Sequence, residues 1–111
     1  MDISIETVEG IKVVELLGDI DASTAPKVQE KVVPLAEPGS KILMDMTQVP
    51  YMSSAGLRML LSMYRQTQAK QGKLVLVGLS EELKDTMSVT GFLDFFITAE
   101  KRDEGLSELK G

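Results

Sequence analysis

Two short apolar runs with a helical pattern between them constrain the fold of this chain more than any other feature. Residues 42–46, interrupted only by Asp45, and residues 74–77 are apolar, which is typical of strands covered on both faces of a sheet. The segment between them repeats at helical spacing, with Leu57, Leu60, Leu61, Tyr64 and Gln68 on one side. Buried strands that alternate with helices predict a largely parallel β-sheet with helices packed on it.

The first residues of the chain add an antiparallel strand to this sheet. Residues 3–7 alternate apolar and polar side chains, and Glu9 and Gly10 then supply a turn. Residues 11–17 follow as a second strand, rich in β-branched side chains. This hairpin predicts one antiparallel edge strand on an otherwise parallel sheet.

A polar loop over residues 18–24 leads into the first predicted helix. Ser23 or Thr24 is a suitable cap for this helix, and Pro26 falls in its first turn, where a missing N–H costs nothing. The apolar stripe of the helix consists of Val28, Val32 and Leu35. We expect Pro34 to end the helix or to distort its last turn.

The remaining segments complete the predicted order of elements. A helix opens after Ser80, where acidic side chains in the first turn suit the helix dipole, and it ends at Gly91. Residues 92–98 predict a last strand and residues 103–109 a short terminal helix. The resulting order, β-β-α-β-α-β-α-β-α, predicts one α/β domain over residues 1–111 with about four helices.

The absence of two residue types removes the commonest catalytic chemistries. The chain contains no cysteine, which excludes disulfides and thiolate sites, and no histidine, the commonest general base and metal ligand. Its formal net charge of -5 argues against nucleic acid or an anionic membrane as the main partner. No apolar run is long enough to span a membrane, and the first residues lack a signal-peptide layout. We therefore expect a cytoplasmic protein.

Ser53 and Ser54 stand between the buried strand and the following helix, and they offer the most chemistry in the chain. A hydroxyl at a helix N-terminus faces backbone N–H groups that lack intrahelical partners. It can cap the helix, hold an anion, or be phosphorylated and so become the anion. The residues alone leave these three uses open, and capping is the most common of them.

Hydrolysis by these serines is not supported. Ser54-Ala55-Gly56 matches the second half of a G-x-S-x-G nucleophile elbow, but Met52 occupies the place of the first glycine. No histidine is available to accept the serine proton, so the usual triad cannot be built. We expect no catalytic residue in this chain and no enzymatic activity of its own.

Three aspartates leave a metal-assisted hydrolase as a minor alternative. Asp19, Asp21 and Asp45 could bind a hard cation if the fold brought them together. Aspartates in loops more commonly cap helices or bond to loop amides. We therefore expect neither a metal nor a cofactor.

The chain contains seven methionines. Met44, Met46 and Met87 fall on strand or stripe positions, which predicts that they are in the core. Met59 lies off the predicted helix stripe, and we expect it to be exposed as an adaptable contact beside the serines. The position of Met52 is left open.

The residues around the serines resemble a known family. Residues 51–57 (YMSSAGL) are similar to the phosphorylation loop of the anti-sigma factor antagonists, the bacterial STAS domains. Residues 18–25 (GDIDASTA) resemble the G-x-[LI]-D loop that precedes the first helix of that family. The resemblance extends over nearly the whole chain and implies a STAS-type α/β domain.

This resemblance implies a phosphorylation-controlled binding protein. In the family, a partner serine kinase that is also the anti-sigma factor phosphorylates one loop residue. Only the unphosphorylated form binds that kinase and releases its target, and a serine phosphatase reverses the modification. By position the acceptor is Ser54, and Ser53 is a second candidate acceptor. The ATP would belong to the kinase. We expect a monomer or a weak dimer.

The kinase is expected to bind the surface around the acceptor. Asp21 matches the loop aspartate of the family, which implies a position close to the acceptor. The expected partner-binding residues are Asp19, Asp21, Ser23, Thr24, Met52, Ser53, Gly56, Arg58 and Met59. The alternative function is a STAS scaffold or ligand-sensing domain in a signalling assembly that does not end in a sigma factor.

Overall fold

Five strands form one sheet in the computed structural model, which describes residues 1–110. Gly111, the last residue of the predicted domain, lies outside the described residues. The strands lie side by side in chain order: β1 Asp2–Val8, β2 Ile11–Leu17, β3 Lys41–Gln48, β4 Lys73–Val77 and β5 Ile97–Ala99. β1 pairs with β2 in antiparallel fashion, and the other neighbours are parallel. The predicted mostly parallel sheet with one antiparallel edge strand is confirmed.

Four α-helices connect or follow the strands, as the sequence predicts. They are α1 Ala25–Val32, α2 Ser54–Ala69, α3 Glu81–Val89 and α4 Arg102–Lys110. Pro34 follows α1 within a single 3₁₀ turn, Val33–Leu35, which agrees with the expected distortion at that point. Within residues 1–110, every helix is too short or too polar to span a membrane.

The side chains of the central strands alternate between two apolar cores. The larger core joins one face of the sheet to α1, α2 and α3, and its strand residues include Val14, Leu16, Met44, Met46 and Leu76. The smaller core lies under α4 and contains Ile11, Val13, Leu43, Val75, Val77 and Leu109. Helices on both faces explain why β3 and β4 are buried over most of their length.

The prediction of a strand over residues 92–98 is wrong in its first part. Leu93–Phe95 is a 3₁₀ turn, and the strand covers only Ile97–Ala99. Phe96 is buried, and its ring lies edge-on to that of Tyr64, with 5.5 Å between the ring centroids. The turn places Phe96 in the larger core and packs Phe92 against it, whereas Phe95 remains exposed.

The buried face of α2 is broader than the predicted stripe. Leu57 and Leu60 are buried as expected, whereas Leu61 and Tyr64 are only half-buried and Gln68 is exposed. The buried residues of the helix are Gly56, Leu57, Met59, Leu60, Met63 and Thr67. The helix packs against α1 as well as against the sheet, so apolar side chains are needed on two adjacent sides.

α4 approaches the sheet closely through a glycine. A Cβ atom added at Gly105 would lie 2.6 Å from Cγ2 of Val77 and 2.9 Å from Cδ1 of Leu43. Both neighbours are fully buried strand side chains that have no room to move aside. Glycine at this position therefore sets the distance between α4 and the sheet.

We expect Gly105→Leu to lower the free energy of unfolding by about 1–3 kcal/mol, because overpacking forces α4 away from the sheet. Urea unfolding followed by circular dichroism measures this loss. Ser107→Leu is the matched control, since it adds the same side chain at an exposed position of α4 and should change stability by less than about 0.5 kcal/mol. Equal effects of the two substitutions would contradict the close-packing account.

Candidate functional site

Backbone hydrogen bonds join the two loops that the sequence analysis singled out. Both loops leave the carboxyl ends of neighbouring parallel strands, β2 and β3, so they emerge at the same edge of the sheet. The N–H of Ile20 donates to the carbonyl of Tyr51 at 3.0 Å, and the N–H of Ser53 donates to the carbonyl of Ile20 at 2.8 Å. These bonds form an isolated parallel bridge between Ile20 and Met52. The loop before α1 and the loop before α2 therefore form one unit.

Gly56 allows the first turn of α2 to lie directly against this bridge. A Cβ atom at position 56 would lie 3.0 Å from the carbonyl oxygen of Ile20 and would overlap the side chain of Met52. Backbone atoms cannot move aside as a flexible side chain can, so a larger residue would separate α2 from the bridge. The glycine of the serine motif thus positions the start of the helix.

The two serines have different roles in the structure. Ser53 is the N-cap of α2, and its hydroxyl accepts a hydrogen bond from the N–H of Gly56 at 3.4 Å. Ser54 is the first residue of the helix and is exposed. Its hydroxyl has no hydrogen-bond partner among residues 1–110. Ser53 therefore caps the helix, while the hydroxyl of the adjacent Ser54 remains exposed to solvent and to other proteins.

Asp21 organises the loop that precedes α1. Its carboxylate accepts hydrogen bonds from the hydroxyl of Ser23 at 2.7 Å, from the N–H of Ser23 at 2.9 Å and from the N–H of Thr24 at 3.1 Å. The bonds from Ser23 and then from Thr24 lower the pKa of Asp21 below its ordinary value. The carboxylate is consequently an anion that is bound to its own loop.

Thr24 closes the same loop from the other side. Its hydroxyl accepts a hydrogen bond from the N–H of Asp21 and donates one to the carbonyl of Asp19, each at 2.8 Å. Of the two predicted caps, Ser23 and Thr24, it is Thr24 that occupies the N-cap position of α1. Its side chain, however, makes no capping hydrogen bond to the helix. Ser23 and Thr24 therefore shape the loop instead of capping α1.

Several of the predicted partner-binding residues are buried. Met52 is 4% exposed and Met59 is 3% exposed, and Gly56 is also buried. The prediction that Met59 is exposed is wrong, because α2 packs against α1 on that side. Asp19, Ser23 and Arg58 are exposed and can contact another protein directly.

A groove between α1 and α2 begins beside the serines. Its lining includes Ala22, Ala25, Pro26, Ala55, Arg58 and Met59. Of these residues, the sequence predicts only Arg58 and Met59 as part of the site. Small side chains near a helix start are too common to mark a groove in a single sequence, and only the packing of α1 on α2 brings them together.

Asp45 does not belong to this site. It is 8% exposed and lies on the α4 side of the sheet, where its carboxylate accepts hydrogen bonds from the hydroxyl of Thr47 at 2.6 Å and from Nη2 of Arg102 at 2.8 Å. Asp21 is bound to its own loop instead, so the fold does not combine the predicted aspartates in one cation site. Within residues 1–110, no group of three or more acidic side chains is placed to hold a metal ion.

The environment of Asp45 stabilises its charged form. Burial by itself raises the pKa of this carboxyl group, but the hydroxyl of Thr47, the guanidinium of Arg102 and the N–H of Thr47 together lower the pKa below its ordinary value. Arg102 also contacts Glu15 at 3.0 Å and Glu6 at 3.3 Å. This network fastens the first residue of α4 to strands β1, β2 and β3.

The family assignment follows from the sequence together with this fold. The sequence model of the STAS domain matches residues 2–105. The chain belongs to the STAS domain family. Among curated relatives of this STAS chain, the anti-sigma-B factor antagonist of Bacillus subtilis is 34% identical over 93 residues, which are 84% of this chain and 85% of that protein.

Solved structures show the same STAS fold. An anti-sigma factor antagonist from Mycobacterium paratuberculosis aligns with a TM-score of 0.85 at 24% identity, covering 99% of this chain and 94% of that one. The phosphorylated form of the Bacillus cell fate determinant SpoIIAA aligns with a TM-score of 0.73 at 18% identity, covering 96% of this chain and 98% of that one. The predicted STAS-type architecture is confirmed by these alignments.

The division of roles between the serines predicts different stability effects. Ser53→Ala removes the cap of α2 and should lower the free energy of unfolding by about 1 kcal/mol. Ser54→Ala should change it by less than about 0.5 kcal/mol, since the exposed hydroxyl has no partner within residues 1–110. Urea unfolding of the two variants beside the wild type measures both values. A larger loss of stability for Ser54→Ala than for Ser53→Ala would show that Ser54 caps α2 instead of Ser53.

The Asp45–Arg102 pair predicts a pH-dependent contribution to stability. Because the folded-state pKa of Asp45 is lowered, this contribution is complete above the unfolded-state pKa of about 4 and is lost as the pH falls through the lower, folded-state value. We expect Asp45→Asn to cost about 1–3 kcal/mol at pH 7. The difference from the wild type should shrink as the pH falls below about 4.

Urea unfolding of both proteins over this pH range provides the measurement. Glu6→Gln is the control, because the Glu6 side chain is 62% exposed and its ion pair with Arg102 should contribute less than about 1 kcal/mol. A loss for Asp45→Asn that stays constant at every pH would show that the charge of Asp45 is not the cause.

Proposed function

We propose that this chain is an anti-sigma factor antagonist whose binding to a serine kinase is controlled by phosphorylation of Ser54. The observation that carries the proposal is the free, exposed hydroxyl of Ser54 at the start of α2, next to a serine that already caps the helix. In this proposal the unphosphorylated form binds the kinase, which is also an anti-sigma factor, and so releases its target. A serine phosphatase restores the binding form.

The relatives support this proposal. The curated protein from Bacillus subtilis that covers most of this chain is an anti-sigma-B factor antagonist. A protein with the same fold has been observed in a phosphorylated form. The proposal makes this chain a regulatory binding protein of the cytoplasm, with the catalytic residues and the nucleotide supplied by its partners.

The fold is suited to carry a phosphoryl group at Ser54. The modification adds a charge of about -1.5 to -2 and three acceptor oxygens. The first N–H groups of a helix lack intrahelical acceptors, and the helix dipole is positive at this end. Ser54 is exposed, so the group can be accommodated without moving any buried side chain. Phosphorylation should therefore leave the fold intact.

The same charge should weaken binding of the partner. Ser54 lies beside the α1–α2 groove, on the surface that a docking kinase would cover. Covering a dianion removes its water, and the cost reaches several kcal/mol unless the partner supplies matching positive charge. Asp19 and Asp21 flank the Ile20 bridge and add negative charge nearby. Phosphorylation of one side chain can thus weaken binding of the partner while the fold stays intact.

The acceptor assignment is tested by incubating the protein with its cognate serine kinase and ATP. Intact-mass spectrometry should find one phosphoryl group on the wild type and on Ser53→Ala, and none on Ser54→Ala. Fragmentation of the modified protein should place the group on Ser54. Unchanged phosphate incorporation into Ser54→Ala would refute the assignment and make Ser53 the next candidate.

A charge at position 54 should weaken kinase binding at least about tenfold, which corresponds to about 1.4 kcal/mol. Isothermal titration calorimetry of Ser54→Glu against the unmodified protein measures the change. Ser107→Glu is the matched control, because it adds the same charge on α4, on the opposite face of the sheet, and should bind as the wild type does. Equal binding by Ser54→Glu and the wild type would contradict the switch.

A further inference from the structure

Arg58 has no charged neighbour on its own helix. Its neighbours at three and four residues along α2 are Ser54, Ala55, Leu61 and Ser62, and none of these carries a charge. The helix contains no acidic residue, and Arg65 is its only other charged residue. Within residues 1–110 Arg58 takes part in no ion pair, whereas Arg102, Lys84 and Lys110 all do.

Arg58 lies one helical turn after Ser54. Residues at positions i and i+4 of an α-helix are neighbours on its surface, with about 5–6 Å between their Cβ atoms. Side chains of an α-helix lean toward its N-terminus, and this direction favours conformations of Arg58 that lie over the turn that carries Ser54. Both residues are exposed, and the guanidinium can therefore reach an oxygen carried by Ser54 without any backbone movement.

We propose that Arg58 binds the phosphoryl group of phosphorylated Ser54 and that this contact draws its guanidinium away from the α1–α2 groove. The proposal rests on Ser54 being the phosphorylated residue. Phosphorylation supplies the first anion within reach of Arg58 on this helix, and guanidinium–phosphate hydrogen bonds are among the strong ones because both groups are charged. The groove that a partner meets then loses the positive side chain at its edge.

The other charged residues of this part of the fold do not take the place of Arg58. Asp19 and Asp21 flank Ile20, whose carbonyl accepts a hydrogen bond from Ser53. Their carboxylates repel a phosphoryl group on Ser54, and this repulsion is the same with or without Arg58. Lys27 of α1 lines a pocket with Met1 and Asp2 at the β1 edge, away from the serines. Arg58 is thus the positively charged residue of α2 that lies within one helical turn of Ser54.

The experiment uses phosphoserine placed at position 54 during translation, so no kinase is needed. Titration followed by ³¹P NMR gives the second pKa of the phosphate group. Arg58→Gln should raise this pKa by about half a unit relative to the protein with Arg58, which is about a threefold change in the acid dissociation constant. The Nε–H signal of Arg58 should also shift when position 54 changes from serine to phosphoserine.

Arg65→Gln is the matched control, because Arg65 is an exposed arginine of the same helix that lies about 10 Å farther along the axis than Arg58. It should leave the phosphate pKa at the value of the protein with both arginines. Equal pKa values for Arg58→Gln and Arg65→Gln, with no change in the Arg58 signal, would overturn the inference. Failure of a kinase to modify Ser54 would instead overturn the proposed function, and the titration would still decide the role of Arg58.

Discussion

The backbone bridge between Ile20 and Met52 is the constraint on which the proposed switch depends. Two polar loops from neighbouring strands are joined by the Ile20–Tyr51 and Ser53–Ile20 hydrogen bonds, at 3.0 and 2.8 Å. Gly56 lets the start of α2 lie against this bridge, since a Cβ atom there would meet the Ile20 carbonyl. The N-cap, the free serine and the aspartate loop therefore keep fixed positions relative to one another. The parts of the site are joined to one another by backbone hydrogen bonds.

The sheet separates this site from the ion-pair network of α4. Arg102 joins Asp45, Glu15 and Glu6 on one face, while α1 and α2 cover the other. Asp45 precedes the serine loop by only a few residues in sequence, yet its side chain points to the opposite side because residues of a strand alternate. The charges of this network are thus kept apart from Asp19, Asp21 and Arg58, the charged residues that lie near Ser54.

The sheet could be predicted from the sequence because the apolar runs at residues 42–46 and 74–77 fit no other arrangement as well. The capping of α2 by Ser53 could not be predicted, because two adjacent hydroxyls are equivalent as caps until the first helical residue is known. The Asp45–Arg102 contact joins residues 57 positions apart, and no local pattern marks such a pair. Met59 was misplaced because its burial depends on the packing of α1 against α2, which the spacing of one helix does not reveal.

The cap provided by Ser53 has a consequence for how a signal is stored. Because Ser53 holds the helix start, the proposed phosphorylation of its neighbour leaves this cap in place. In the proposed switch the signal lies in the ratio of the phosphorylated to the unphosphorylated form, and the total amount of protein does not have to change for the signal to change.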